Sequence, residues 1–140
     1  MDLKLLRVKE ASGEAICSPD TVVEIMKEEA RADRECFWVL HLNGRNRVIE
    51  KELVSIGTAN SSLVHPREVF KKAIVNGAMG IITVHNHPGS STDPSYNDLE
   101  IWKKLKKSGE ILGIEVKDNI ILTPSGSCYS ENTGGCINEK

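Results

Sequence analysis

Aromatic residues make up only 4% of this 140-residue chain, which leaves little material for the stacking platforms that single-stranded nucleic-acid binders use. Charge of one sign is also missing. A formal net charge of −2 and a pI near 6.1 give no global pull toward nucleic acid, though a local basic face survives such an average. The four cysteines, Cys17, Cys36, Cys128 and Cys136, form no C-x-x-C pair, so neither a zinc ribbon nor a thioredoxin-like redox motif is indicated. Cys128 and Cys136 are near enough in sequence to bridge, but plain thiols are the expectation for a cytoplasmic protein. Long hydrophobic runs are absent too. The most apolar stretch, Ala78 to Val84, is far short of the roughly 20 residues that span a bilayer. The opening Met1 to Glu10 mixes charged with apolar residues and lacks the apolar centre of a signal peptide. We therefore expect a cytoplasmic protein with no membrane partner. With 39% hydrophobic and 27% charged residues and neither repeat nor linker, residues 1–140 suit a single domain.

The pattern along the chain alternates strands and helices. Residues 3–9 read as a short strand. Ser18-Pro19-Asp20 then predicts a helix running to about Ala32, with Ser18 as N-cap and Val22, Val23, Ile25 and Met26 as its apolar stripe. Cys36 to Leu42 is aromatic and branched, hence a strand, and Asn43-Gly44 turns it into a second one containing Val48 to Ile56, where Glu50-Lys51-Glu52 suggests a bulge or an edge. The small polar stretch Gly57 to Ser62 reads as a loop. His65-Pro66 starts a helix with Val69, Phe70, Ala73 and Ile74 on one face and Gly77 as its left-handed stop. Met79 to Val84 predicts a fully buried strand. Ser95-x-x-Asp98 opens a helix with Leu99, Ile101, Trp102 and Leu105 inward, ending near Gly109. Leu112 to Val116 and Asn119 to Thr123 read as two strands turning at Lys117-Asp118, Cys128 to Ser130 as a short last one, and Glu131 to Lys140 as a loose tail. This order implies an α/β sandwich, a mixed sheet with helices on its faces.

Chemistry is concentrated between His85 and Asp98. Positions i and i+2 of a strand point to one side, so His85 and His87 can present two imidazoles together at the carboxyl end of an internal strand, where open α/β sheets generally place ligands. Asp98 adds an oxygen. Three protein ligands with a fourth position left open is the pattern of a catalytic zinc site, whereas structural sites are usually closed by four. A plainer account competes for Asp98: a serine followed three residues later by an acid is a capping box. Ser95 can cap the helix or donate toward a developing oxyanion. Single histidines elsewhere carry less. His65 reads as a surface residue at a helix start and His41 as structural within its strand. The lysines 103, 104, 106 and 107 read as a solvated helix face.

The run H-x-H, seven residues, S, two residues, D, carried by His85, His87, Ser95 and Asp98, resembles the JAMM signature of MPN-domain metalloproteases. More narrowly, Glu35-Cys36-Phe37, Gly57-Thr58-Ala59-Asn60, His65-Pro66-Arg67-Glu68-Val69 and His85-Asn86-His87-Pro88, with Pro94-Ser95, resemble the catalytic-type domain of the RadC family over about residues 18–130. The resemblance implies the MPN fold, a three-layer sandwich related to the cytidine deaminase type, and one zinc ion held by His85, His87 and Asp98. It also implies a glutamate that handles the attacking water, here Glu35, which spacing alone would not select from fourteen glutamates. Glu68 is a local competitor better explained by the helix dipole. Two departures bear on loop shape: Gly89-Ser90 stands where the family commonly has Ser-Gly, and Asp118-Asn119 where it commonly has Asp-His. The helix-hairpin-helix region of longer RadC proteins is not expected here, nor a DNA role borrowed from it.

The resulting expectation is a zinc metallohydrolase in which Glu35 activates water and Ser95 helps hold the oxyanion while a peptide or isopeptide bond of a protein substrate is cut. Two alternatives stand beside it. One is a DNA-repair-associated nucleic-acid hydrolase or binding protein, the other an MPN interaction module without turnover. Oligomeric state is not legible.

Overall fold

The computed structural model describes residues 10–57, 64–89 and 91–137. The strand expected at 3–9 and most of the loop expected at 57–62 lie outside the described residues. Among the described residues seven strands, β1 (Ser12–Ala15), β2 (Cys36–Leu42), β3 (Arg47–Ile56), β4 (Gly80–Asn86), β5 (Glu115–Leu122), β6 (Cys128–Ser130) and β7 (Gly135–Ile137), form one sheet in the order β1-β3-β2-β4-β5-β6-β7. Every neighbouring pair is antiparallel except β4 and β5. A parallel pair needs a crossover, and the helix α3 (Tyr96–Leu112) supplies it. The other helices are α1 (Pro19–Ile25) and α2 (Pro66–Val75).

Alternation along the central strands builds two cores. Phe37, Val39, Ile81 and Ile121 face Phe70 of α2 and Trp102 and Leu105 of α3. Leu40, Leu42, Ile82, Val84 and Ile120 face the opposite way, onto Val22 of α1 and Met26 at its C-terminal end. Helices therefore cover both faces of a mixed sheet, the three-layer α/β sandwich that the element order implied. β4 is buried at every residue because it has a strand on either side and a helix layer on each face. Within β3 the register slips against β2 skip Val54 and Ile49, so the bulges flank Glu50-Lys51-Glu52, which itself pairs without a break, and β3 lies inside the sheet rather than at its edge.

Several boundaries differ from the expectation. The first helix stops at Ile25 rather than near Ala32, and a 3-10 turn, Glu29–Arg31, follows, seating Ala30 on the sheet. Lys117-Asp118 is not a turn. β5 runs straight through it, with Lys117 skipped in the pairing to β4, because the buried Asp118 carboxylate is satisfied in place by the N–H groups of Asn119 (2.8 Å) and Asn132 (3.1 Å) and by Ser130 Oγ (2.6 Å). Gly109 does not end α3. A Cβ there would stand 2.4 Å from the Ile114 carbonyl oxygen, so this glycine permits close packing, and the left-handed stop is Gly113 at φ 73°. Leu99, Ile74 and Met79 are exposed rather than inward. The tail expected to be loose contains β7, whose register sets Cys136 opposite Tyr129 and Cys128 opposite Ile137, so the two cysteines are not cross-strand partners.

Candidate metal centre

The ladder fixes the two histidines. His85 pairs with Phe37 on one side and Ile121 on the other, and His87 N–H donates to the Leu122 carbonyl at 2.8 Å, extending the strand geometry one residue past Asn86. Both imidazoles therefore leave the sheet on the same side, with ring centroids 5.0 Å apart and rings nearly perpendicular. Pro88 follows and cannot donate to the ladder, which ends the strand. His87 Nδ1 lies 3.0 Å from the Ser91 carbonyl oxygen. A carbonyl only accepts, so Nδ1 carries the proton and Nε2 of the neutral ring presents a lone pair to the site.

Asp98 reaches the same point from the start of α3. The capping box is complete: Asp98 N–H donates to Ser95 Oγ at 3.0 Å, and Ser95 N–H donates to Asp98 Oδ2 at 2.9 Å. The carboxylate so held also faces the histidines, Oδ1 3.3 Å from His85 Nδ1 and Oδ2 3.6 Å from His87 Nε2. Capping and facing the site are compatible because the cap anchors the carboxylate rather than turning it away. Burial pushes the Asp98 carboxyl up, but the two imidazoles and the Ser95 N–H outweigh it and hold the group well below the usual carboxylate range. In the metal-free protein Asp98 in turn raises His87 above its ordinary value.

Glu35 arrives from a third element, the corner just before β2. Its Oε2 lies 4.0 Å from His85 Nε2, is buried, and has no hydrogen-bond partner among the described residues. Ligand atoms of Glu35, His85 and His87 all fall within 4.8 Å of one another, a set able to hold a metal ion. The donor set is two imidazoles with carboxylate oxygens, which suits zinc and its neighbours. Spacing agrees with that chemistry. Two ligand atoms about 2.1 Å from a tetrahedral ion stand roughly 3.4 Å apart, close to the 3.3 and 3.6 Å observed between Asp98 and the histidines.

The residues singled out in the sequence thus divide cleanly. Glu35, His85 and His87 form one possible ligand cluster, Asp98 meets the same two histidines but at the His85 ring nitrogen opposite the one nearest Glu35, and exposed Ser95 sits beside Asp98 as the helix cap. His65 is exposed at the start of α2, Glu68 is mostly solvated beside Arg67, and His41 is fully buried at 3.0 Å from Glu52. Lys106 pairs with Glu131 at 2.6 Å, while Lys103, Lys104 and Lys107 are exposed. Two contributors were not anticipated. Ser91 orients His87, and Asn86 turns to the opposite side of the strand and bonds the corner carrying Glu35. The signal for Asn86 was the same period-two rule that aligned the histidines, since it sends the residue between them the other way.

Among the described residues no helix is long and apolar enough to cross a membrane. Comparison with known proteins supplies the family. The model of the RadC-like JAB domain matches residues 16–135. The chain is 52% identical over 110 residues to a UPF0758 protein of Finegoldia magna, covering 78% of this chain and 49% of that one. It is 50% identical over 106 residues to a UPF0758 protein of Desulforudis audaxviator (75% and 46%) and 43% identical over 120 residues to one of Bacillus cereus (85% and 53%). The chain spans about half the length of these relatives. With most of its length matched by the family model and the histidine pair, the acid and the glutamate converging in space, the chain belongs to the RadC-like JAB domain family.

Proposed function

We propose that this domain is a zinc-dependent hydrolase that cleaves a peptide or isopeptide bond in a protein substrate. One observation carries the reading: Glu35, from a segment fifty residues before the histidines, brings to the two imidazoles a buried carboxylate oxygen that has no hydrogen-bond partner among the described residues. An unsatisfied buried carboxylate is costly unless another group uses it. His85, His87 and Asp98 would hold the ion. When bound, zinc supplies Lewis acidity, polarising a carbonyl and lowering the pKa of a water at the open position. Glu35 takes the proton of the attacking water and returns it to the leaving nitrogen, which balances the hydrolysis. Ser95 is held by its cap at the rim, and its hydroxyl proton is free to meet the oxyanion, since capping uses an oxygen lone pair only.

The test compares wild type with Glu35→Gln on peptide, isopeptide and single-stranded DNA substrates, after metal content is measured. We expect about one zinc per chain in both proteins and a roughly 10²- to 10⁴-fold loss of peptide-bond turnover in the variant. Absence of zinc from wild type, or turnover indifferent to Glu35→Gln, overturns the mechanism. Cleavage confined to DNA, with strong salt dependence, would transfer the same residues to nucleic-acid hydrolysis. Metal without turnover on any of the three would leave an interaction module.

A further inference from the structure

Asn86, the residue between the two histidines, is almost completely buried and points to the α1 side of the sheet. Its side-chain oxygen accepts the Cys36 N–H at 2.7 Å, and its side-chain nitrogen donates to the Arg34 carbonyl at 2.8 Å and, more weakly, to that of Ala32 at 3.4 Å. The β2–β4 ladder ends at the Phe37–His85 pair, so beyond it the Asn86 amide takes the place of the missing backbone partner. A carboxamide suits this because it carries an acceptor and a donor in one plane, like the peptide group it replaces. The two peptide groups it grips are the ones on either side of Glu35. On the far side, Gly57 N–H donates to the Glu35 carbonyl at 2.8 Å. The Glu35 backbone is thereby tied on both edges while its carboxylate oxygen Oε2, on the side of the histidines, has no hydrogen bond among the described residues.

We propose that Asn86 is the positioning residue for Glu35, setting the backbone from which that carboxylate reaches the metal centre; this rests on the reading of Glu35 as the proton carrier. The H-N-H run then does two tasks at once: its outer members face the ion and its middle member fixes the base at a set distance from them. A buried asparagine that merely satisfied a loop would stabilise the fold without any preference for Glu35 chemistry. A misplacement of about 1 Å at a reacting group is enough to cost on the order of a hundredfold in rate.

The decisive experiment uses Asn86→Ala and the isosteric Asn86→Asp in the full chain, each alone and combined with Glu35→Gln. Three quantities are read: zinc per chain, amide hydrogen exchange at Cys36, and kcat and KM on the peptide-bond substrate. Asn86→Ala is expected to keep its zinc, to exchange the Cys36 amide at least about tenfold faster, and to lose about 10- to 100-fold in kcat with little change in KM. Added to Glu35→Gln it should cost almost nothing more, because the base it positions is already gone. Asn86→Asp retains an acceptor for Cys36 but sets a carboxylate against the Arg34 carbonyl, so Cys36 protection should partly survive while kcat still falls. Should Asn86→Ala fail to fold, Asn86→Asp carries the comparison. Unchanged Cys36 exchange, unchanged kcat, or an equally large loss in the Glu35→Gln background would each overturn the proposal. Lack of turnover in wild type would sink the hydrolase reading instead, and the grip on the Glu35 corner would then stand or fall on the Cys36 exchange alone.

Discussion

Two clusters on this sheet join histidine to carboxylate, and they are built for opposite ends. At one, His41 of β2 is fully buried and each ring nitrogen has a partner: Asn76 Nδ2 donates to Nδ1 at 2.8 Å, and Nε2–H donates to Glu52 Oε1 at 3.0 Å. Glu50, beside it, pairs with Lys72 at 2.5 Å. At the other, the contacts among Glu35, His85, His87 and Asp98 run from 3.3 to 4.0 Å, and Glu35 Oε2 has no hydrogen bond among the described residues. The first cluster closes on itself with hydrogen bonds of ordinary length and leaves nothing for a ligand. The second converges without closing, and the gaps between Asp98 and the two histidines are of the size found between ligands around an ion. Residue type does not separate a structural histidine from a candidate metal ligand here; the distance to its partners and the presence of an unsatisfied atom do.

The sharpest way to break this comparison is at Asp98, which belongs to a helix cap and to the site together. Asp98→Ala should weaken zinc binding by at least the ten- to hundredfold that loss of an outer partner alone costs, and should lower stability by about 0.5–2 kcal/mol through the lost cap. Zinc titration and thermal unfolding in chelator separate the two effects. Unchanged zinc affinity would reduce Asp98 to a cap.

The closed cluster should respond in the reverse manner. Asn76→Ala removes the donor to buried His41 and should cost about 1–3 kcal/mol with zinc content unaltered, measured by denaturant unfolding beside metal analysis. Loss of zinc in that variant would mean that the two clusters are coupled through the sheet.

Smaller, but of opposite sign at the two sites, is the response to pH. Burial lowers His41 below its ordinary 6.5, so its contribution to stability is complete above that value and is lost as pH falls into the window beneath it. In metal-free protein the Asp98 carboxylate raises His87 above 6.5, so that contribution is complete below 6.5 and is lost as pH rises through the raised value. Imidazole NMR titration of the metal-free protein should therefore show His87 titrating above 6.5 and His41 below it. Zinc should abolish the His87 titration near neutrality and leave that of His41 in place. If zinc altered both alike, the distinction drawn between the clusters would fail.

Much of the fold is local in origin and was legible for that reason. The aromatic and branched run Cys36 to Leu42, the proline-led α2 and the capping box at Ser95 each announce themselves within a few residues, and the structure has all three. Local signals mislead where a tertiary neighbour overrides them. Lys117-Asp118 looks like a turn until Ser130 and Asn132 are seen to satisfy the aspartate inside a strand. Gly109 looks like a helix end until the Ile114 carbonyl is found against it.

The sequence by itself determined the candidate ligand stretch. The period of two in a strand puts His85 and His87 on one side, and the serine three residues before Asp98 caps the helix that carries the acid. These are short-range consequences of backbone geometry. Tertiary structure decided what that stretch meets. Glu35 is fifty residues away and reaches the histidines because β2 lies antiparallel against β4, with Asn86 holding the corner before it. Strand order and the reach of one side chain across it are long-range facts, and no local pattern in the chain encodes them.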